Sequence, residues 1–172
     1  MPDKAVPIGL GFGSNIGDRP GNIRRAIDLL MERGVARITK ISSLYRTAPW
    51  GYREQEDFAN ACALATTRLA PHALLAALKD IEKTIGRQET IRWGPRVIDI
   101  DILFYDDEWL DDPDLILPHK ELFNRPFVLL PLAEIAPDLC LRGRGIGEAA
   151  AAADPSGITL WEKKEPIETH PS

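Results

Sequence analysis

Residues 5–13 (AVPIGLGFG) form an apolar, Gly-rich run that predicts a buried first strand. Pro20 suits the first turn of a helix. Ile23, Ala26, Ile27 and Leu30 then recur at i, i+3, i+4 and i+7, one helical face, and Gly34 is the stop. Residues 35–46 (VARITKISSLYR) alternate loosely and predict a second strand. Residues 47–57 (TAPWGYREQED) mix Pro, Gly and charge and predict a loop of a length that often carries function. Alternation returns over 58–67 (FANACALATT), where small Ala residues allow close packing by a helix. Pro71 opens a second helix with Leu74, Leu75, Leu78, Ile81 and Ile85 on its buried face and Gly86 at its end. A polar, Arg-rich loop over 87–96 leads into 97–105 (VIDIDILFY), a strong strand pattern. Beyond it the expected features are a turn at Asp106–Asp107, a short strand around Glu108–Leu110 and a Pro-bounded segment at 117–119. Helices are expected over 126–135 and 146–153.

The order β-α-β-β-α-β over the first 105 residues is that of the ferredoxin-like split βαβ. The expected class is therefore α+β, an antiparallel-rich sheet with helices on one face and further strands and helices added at the C-terminal end. A length of 172 residues corresponds to about one domain and can bury a core without staples. No internal repeat or linker interrupts it, so one domain over 1–165 is expected, with 166–172 a loose tail. The 13 Gly and 14 Pro follow no period and aliphatic residues are plentiful, which excludes collagen-like and disordered classes. No apolar run has the length of a membrane span, and Met1 to Pro7 lacks the regions of a secretory signal, so a soluble cytoplasmic protein is expected. The net charge of −5 argues against broad electrostatic binding to nucleic acid, though not against a local basic pocket. Cys62 and Cys140 have neither a disulfide framework nor zinc-site partners and read as unpaired, partly buried thiols.

Asp99 and Asp101 are the sharpest chemical feature. They lie two apart in a strand, so both side chains share one face, while Ile98, Ile100, Ile102 and Phe104 take the other, which is the core side. Adjacent carboxylates repel, and burial raises that cost. A divalent cation such as Mg²⁺ relieves both, and it commonly uses one or two carboxylates plus substrate phosphates. The alternative is an exposed strand face with each Asp paired to Arg. Arg87, Arg92 and Arg96 stand just upstream, and Arg suits bidentate phosphate contacts. Trp93 among them is either a core plug or a cover for a flat ligand. The G-x-G-x-x-G and P-loop signatures are missing; Gly11 and Gly13 read as permitting close packing in strand one. His119 follows Pro118 on a loop near these residues, whereas His72 and His170 show no constellation.

At RWGPRVIDIDIL (92–103) the sequence closely resembles the 6-hydroxymethyl-7,8-dihydropterin pyrophosphokinases of folate biosynthesis. The resemblance runs over about residues 8 to 139. It includes GSNIGDR (13–19), SSLYRTAPWG (42–51), DFANA (57–61), IEKTIGR (81–87) and LPHKELFNRPFVLLPLAEIAPDL (117–139). It implies a ferredoxin-like fold with additions. It also implies an ATP-dependent enzyme that converts the pterin alcohol to its pyrophosphate and releases AMP. Two Mg²⁺ ions would sit on Asp99 and Asp101, with Arg87 and Arg96 joining these two in the catalytic set. Arg87, Arg96, His119, Lys120 and Arg125 would contact ATP phosphates, Ile102 and Ile116 would lie beside adenine, and Lys79 and Glu82 would face the ATP side. Thr47, Pro49, Trp50 and Asn60 would form the pterin pocket, Phe58 and Phe127 would sandwich the ring, and Trp93 with Arg92 would belong to a loop closing over the bound pair. The implied partners are the two small-molecule substrates alone, with no nucleic acid or membrane, and the chain is expected to be a monomer.

Three positions depart from the pattern. Phe58 replaces a Tyr found in some members, Gln88–Glu89 stands where a second basic residue can occur, and so does Asp114. The same strand order also serves RNA-binding modules, but those present aromatics where this chain presents Asp99 and Asp101. A different Mg²⁺-dependent phosphotransferase on this scaffold would be separated by its product, ADP rather than AMP.

Overall fold

Strand β1 (Val6–Ser14) leads into helix α1 (Arg19–Glu32), followed by β2 (Arg37–Ile41), β3 (Tyr45–Thr47) and β4 (Phe58–Thr67). Helix α2 (Pro71–Ile85) and strand β5 (Asp99–Tyr105) complete the predicted βαββαβ order. A hairpin of β6 (Leu110–Asp112) and β7 (Leu115–Leu117) follows, then α3 (Pro126–Ile135), β8 (Cys140–Leu141), β9 (Arg144–Gly145), α4 (Ile146–Ala152) and β10 (Ile158–Leu160). This is a computed structural model, and it describes residues 4–48, 57–86 and 97–161.

The main sheet runs β10-β3-β4-β1-β5, with β2 also paired to β4, and every pairing is antiparallel. Counting β2 and β3 as one interrupted strand, the order is fourth, first, third, second, the arrangement of a ferredoxin-like sheet. The interruption falls at residues 42–44, where the sequence pattern predicts unbroken strand. Fully buried Ser42 stitches the gap: its N–H donates to Cys62 O, and its Oγ accepts from Cys62 N, both at 2.9 Å. The ladder thus passes from one half-strand to the next through a side-chain hydroxyl.

Helix α1 starts where Asp18 accepts a hydrogen bond from Gly21 N, with Pro20 in its first turn, and is followed by Gly34 at a φ of +68°. Ile23, Ala26, Ile27 and Leu30 join Leu74, Leu78 and Ile81 of α2 against one face of the sheet. That face carries Ile8, Leu10 and Phe12 from β1, Ile100 and Ile102 from β5, and Ala59, Ala61, Ala63 and Ala65 from β4. The alanines on the central strand let the two helices approach the backbone.

Helices are not confined to that one face, as the pattern of the first 105 residues suggests, because an added C-terminal helix takes the other. Helix α3 packs over part of it, burying Val128, Leu129, Leu132 and Ile135 with Cys62, Leu103 and Phe104. Phe104 is therefore on the face opposite to Ile100 and Ile102. The register between β1 and β5 shifts between Gly9 and Leu10, so Leu103 is an extra residue and the alternation resets. Gly9 makes room for the result, because a Cβ there would lie 2.3 Å from Phe104 Cε1. Two smaller expectations also change. The short strand lies at Leu110–Asp112 rather than 108–110, and Cys140 is exposed while Cys62 is buried.

Polar contacts fix α3 on this face. Glu134 accepts from Tyr45 Oη at 2.6 Å, from Ser43 N at 2.8 Å and from Ser43 Oγ at 3.0 Å. Burial, and then the Glu134 carboxylate, hold the Tyr45 phenol well above its ordinary pKa of 10. Below pH 10 both folded and unfolded states carry a neutral phenol and this stabilisation is whole. Above it the unfolded chain ionises first, so stability falls with rising pH. Tyr45→Phe should cost about 1 kcal/mol at pH 7 and flatten the alkaline fall, both read from urea unfolding midpoints across pH. An unchanged alkaline slope would show that Tyr45 does not drive it.

Candidate active site

The part of the sheet face that α3 leaves open is defined by what β1 lacks. Gly11 and Gly13 lie on it, while the space over Gly9, on the same face, is taken by Phe104. Gly13 is paired with Asp99 on one side and Asn60 on the other, and Gly11 with Asp101 and Cys62. Asp99 and Asn60 thus stand two strand spacings apart, about 10 Å, with no side chain between them. The floor is not loose: a Cβ on Gly13 would lie 3.2 Å from Asn60 Nδ2, and one on Gly11 would lie 3.3 Å from Leu103 Cδ2. Close packing, the reason read from sequence for these glycines, is real, and the same absence of side chains makes the groove.

One wall is β5. Asp99 and Asp101 share the groove face and are partly exposed, with Ile98, Ile100 and Ile102 buried behind them. Glu82 of α2 reaches the outer edge of this strand, where its Oε2 accepts from Ile100 N at 2.7 Å. Burial raises the Glu82 pKa against that hydrogen bond, and Asp99 and Asp101 raise it further while Lys79, exposed one turn earlier, lowers it. Glu82 therefore holds β5 between the two aspartates. Ile102 lies in the helix-side core at 4% exposure, so its side chain has no free surface for a ligand; Ile116 is partly exposed on β7.

The segment after β7 closes the same end. His119 N donates to Leu103 O at 2.9 Å, tying the loop to β5. His119 Nδ1 accepts from Glu121 N at 3.1 Å, which leaves the ring proton on Nε2. Burial lowers the His119 pKa, Asp101 opposes this, and Arg125 and Lys120 reinforce it. The side chain is thus a neutral donor in a field that includes Asp101, Arg125 and Lys120. Arg125 lies with its guanidinium 5.8 Å from the ring centre of Phe127, which is partly exposed in the first turn of α3.

The other wall is formed by β3 and β4. Thr47 pairs with Phe58, and Tyr45 with Asn60. Thr47 Oγ1 and Asn60 Oδ1 are buried and have no hydrogen-bond partner among the described residues. Leaving such a group unpaired costs on the order of 1–3 kcal/mol. Both lie on this wall, beside the partly exposed ring of Phe58. Cys62 lies deeper, its Sγ 3.6 Å from Val128 O, and burial followed by Asp101 raises its pKa, so it is not a nucleophile.

Residues 9–137 match the family model 7,8-dihydro-6-hydroxymethylpterin-pyrophosphokinase. The chain belongs to this family. The pyrophosphokinase of Methylorubrum extorquens, a 2-amino-4-hydroxy-6-hydroxymethyldihydropteridine pyrophosphokinase, is 48% identical over 153 residues, 89% of this chain and 97% of that one. The enzyme of the same name from Bacillus subtilis is 38% identical over 159 residues, 92% of each chain. Among solved structures, wild-type Plasmodium falciparum HPPK-DHPS with pteroate superposes with a TM-score of 0.69 at 18% identity. It covers 87% of this chain and 42% of that longer one, a likeness of fold.

The structure thus places Asp99, Asp101, His119, Lys120 and Arg125 around β5 and the segment after β7, Glu82 with Lys79 one turn earlier on α2 at the outer edge of β5, Phe127 at the start of α3, and Thr47, Phe58 and Asn60 on the β3–β4 wall. Pro49, Trp50, Arg87, Arg92, Trp93 and Arg96 lie outside the described residues. His72, which shows no constellation in sequence, has Nε2 3.0 Å from Asp112 Oδ2 and 3.4 Å from Asp114 Oδ1 at the far end of α2. Asp114 is therefore engaged with a histidine there. Sequence reasoning also missed a group around Arg19, Arg46, Asp57 and Trp161; Arg19 stands in the quoted GSNIGDR run, but its partners are distant in sequence.

The unpaired hydroxyl gives a direct test. In ligand-free protein, Thr47→Val should raise stability by about 1 kcal/mol, because it removes a buried polar atom and keeps the shape. Urea unfolding reads this. Destabilisation by a similar amount would mean that Thr47 Oγ1 has a partner in solution.

Proposed function

We propose that the chain transfers pyrophosphate from ATP to the hydroxymethyl oxygen of 6-hydroxymethyl-7,8-dihydropterin and releases AMP. The supporting observation is the pair of unpartnered buried atoms, Thr47 Oγ1 and Asn60 Oδ1, set across a glycine floor from two aspartates. A pterin is planar and carries N–H groups and a carbonyl along one edge. Asn60 Oδ1 accepts from that edge, Thr47 Oγ1 donates or accepts, and Phe58 and Phe127 stack on the ring faces. A ligand without that edge leaves both atoms unpaired and is rejected on that ground.

The same reading assigns ATP to the β5 side. Asp99 and Asp101 offer only oxygen ligands on one strand face, a donor set that fits Mg²⁺. Asp99 and Asp101 would hold two such ions, which would supply charge neutralisation for the triphosphate. His119 Nε2–H and the cations of Arg125 and Lys120 meet phosphate oxygens, and Arg87 and Arg96 have the same role. Lys79 faces the nucleotide side, where Ile116 and the backbone of Ile102 flank adenine. Glu82 acts by holding Ile100.

The hydroxymethyl oxygen attacks the β-phosphorus in line, the bond from that phosphorus to the oxygen bridging it to the α-phosphate breaks, and AMP leaves. The hydroxyl proton passes to solvent. No described side chain stands as a general base, so positioning and charge stabilisation carry the rate. The family resemblance adds Arg92 and Trp93 as residues for the bound pair and Pro49 and Trp50 for the pterin, all outside the described residues. The reading includes a cytoplasmic monomer without nucleic-acid partners; no described helix is long and apolar enough to cross a membrane.

The test is a product assay with ATP, MgCl₂ and the pterin alcohol, with nucleotides separated by chromatography. AMP appearing only when pterin is present is expected; ADP would point to a different phosphotransfer. Asp101→Asn should lower kcat by at least ~1,000-fold, equivalent to about 4 kcal/mol of barrier, with the unfolding midpoint close to that of the parent. Near-normal turnover in that variant would sink the metal assignment.

A further inference from the structure

We infer that Trp161, with the short strand β10 that leads to it, is a positioning residue for the pterin side of the reaction. The inference rests on the reading of the groove given above.

Strand β10 extends the sheet beyond β3, pairing Ile158 with Thr47, Thr159 with Arg46 and Leu160 with Tyr45. Trp161 follows at once, and its N–H donates to Leu44 O at 2.8 Å. Two guanidinium groups pack against the indole: Arg46 is 3.8 Å from the ring centre and Arg19 is 4.6 Å from it. Both arginines also reach Asp57. Arg19 Nη1 donates to Asp57 O at 2.9 Å, and Arg46 Nη1 is 3.7 Å from Asp57 Oδ2.

These four residues sit beside the atoms that the pterin would meet. Arg46 immediately precedes Thr47, and Asp57 immediately precedes Phe58; Arg19 is the first residue of α1, just beyond the end of β1. The chain leaves the pocket wall after Thr47 and returns to it at Asp57, and Ala48 N donates to Gly157 O at 3.2 Å at the departure point. Trp161 therefore ties the end of β10 to Arg46 of β3 and to Arg19 of α1, both of which reach the residue that leads into β4.

The physics accounts for the choice of residue. Two guanidinium groups in one place repel, and the negative faces of an indole attract both at once. Asp57 supplies the compensating carboxylate. Ala at position 161 would leave the two cations without the ring they pack on, and β3 would keep only a three-residue ladder to β10. Thr47 and Phe58 would then be displaced by fractions of an ångström, enough to mismatch a rigid planar guest. The aspartate wall on β5 is separated from β3 by β4 and β1, so ATP should not register the change.

Steady-state kinetics of the full-length chain test this, with the AMP assay run against each substrate in turn. Trp161→Ala should raise the KM for the pterin by ~10-fold or more, with the KM for ATP and the kcat each within about threefold of the parent. Trp161→Phe, which keeps an aromatic face, should recover most of the loss. Equal rises in both KM values, an unchanged pterin KM, or a Phe variant no better than the Ala variant would each overturn the inference. If Trp161→Ala is recovered unfolded, Arg46→Lys decides the matter, because it keeps the charge and removes the planar stack. A selective rise in pterin KM supports the role and an unchanged value overturns it. Failure of the parent chain to form AMP with pterin would instead overturn the functional reading, and this inference with it.

Discussion

Strand β1 must be filled on one face and bare on the other. Ile8, Leu10 and Phe12 bury themselves against α1 and α2, and Gly9, Gly11 and Gly13 present only backbone to the opposite side. A strand with three glycines is entropically poor and weak in packing. It persists here because it lies in the middle of the sheet, hydrogen-bonded along its length to β4 and β5. The two neighbours hold the floor, and the floor keeps their functional side chains apart. Bare backbone at Gly13 separates Asp99 from Asn60; any side chain larger than hydrogen would crowd the amide of Asn60 before it met a ligand.

The groove is also a place where stability is given up. Thr47 and Asn60 each bury an oxygen without a described partner, and three carboxylates, Asp99, Asp101 and Glu82, cluster around one strand. Neither arrangement helps the empty fold. On the proposed reading, both become favourable with a guest that carries donors along one edge and a cation-accompanied phosphate chain at the other end. The surrounding structure supplies the stability that the site forgoes, through the aliphatic layer beneath the sheet and the Tyr45–Glu134–Ser43 contacts that seat α3.

Much of this was legible in sequence because it is local or periodic. The alternation over 97–105 put Asp99 and Asp101 on one face and the isoleucines on the other, which the structure bears out as far as Ile102. It failed at Phe104 because a bulge is set by the register with β1, and a single strand carries no sign of its partner. The helices were legible from apolar recurrence bounded by Pro and Gly. The break at Ser42 was not, since the hydroxyl that bridges it needs Cys62, twenty residues on. The second helical layer was hidden for a similar reason: 126–135 reads as a helix, but nothing in its own pattern says which side of the sheet it covers. Asp99, Asp101 and Asn60 came from residue type, spacing and family resemblance. The engagement of Glu82 with a strand amide and the grouping of Arg19, Arg46, Asp57 and Trp161 are tertiary facts, assembled from segments up to the length of the domain apart.

The charge distribution decides how the two walls of the groove differ. On β5 the carboxylates face one another with Glu82 behind them, so a bare polyphosphate meets repulsion there. On the proposed reading, only a nucleotide that arrives with divalent cations enters against that wall, and the flanking Lys and Arg residues hold its outer oxygens. Among the described residues beside the β3–β4 wall, the charges Arg19, Arg46 and Asp57 are engaged with one another and with Trp161. On the proposed reading, a neutral pterin meets that wall and a charged nucleotide meets the charged one. Because the two walls share only the glycine floor, each can select its own guest without the other having to adjust, and the reacting oxygen and phosphorus are brought together by geometry rather than by a base.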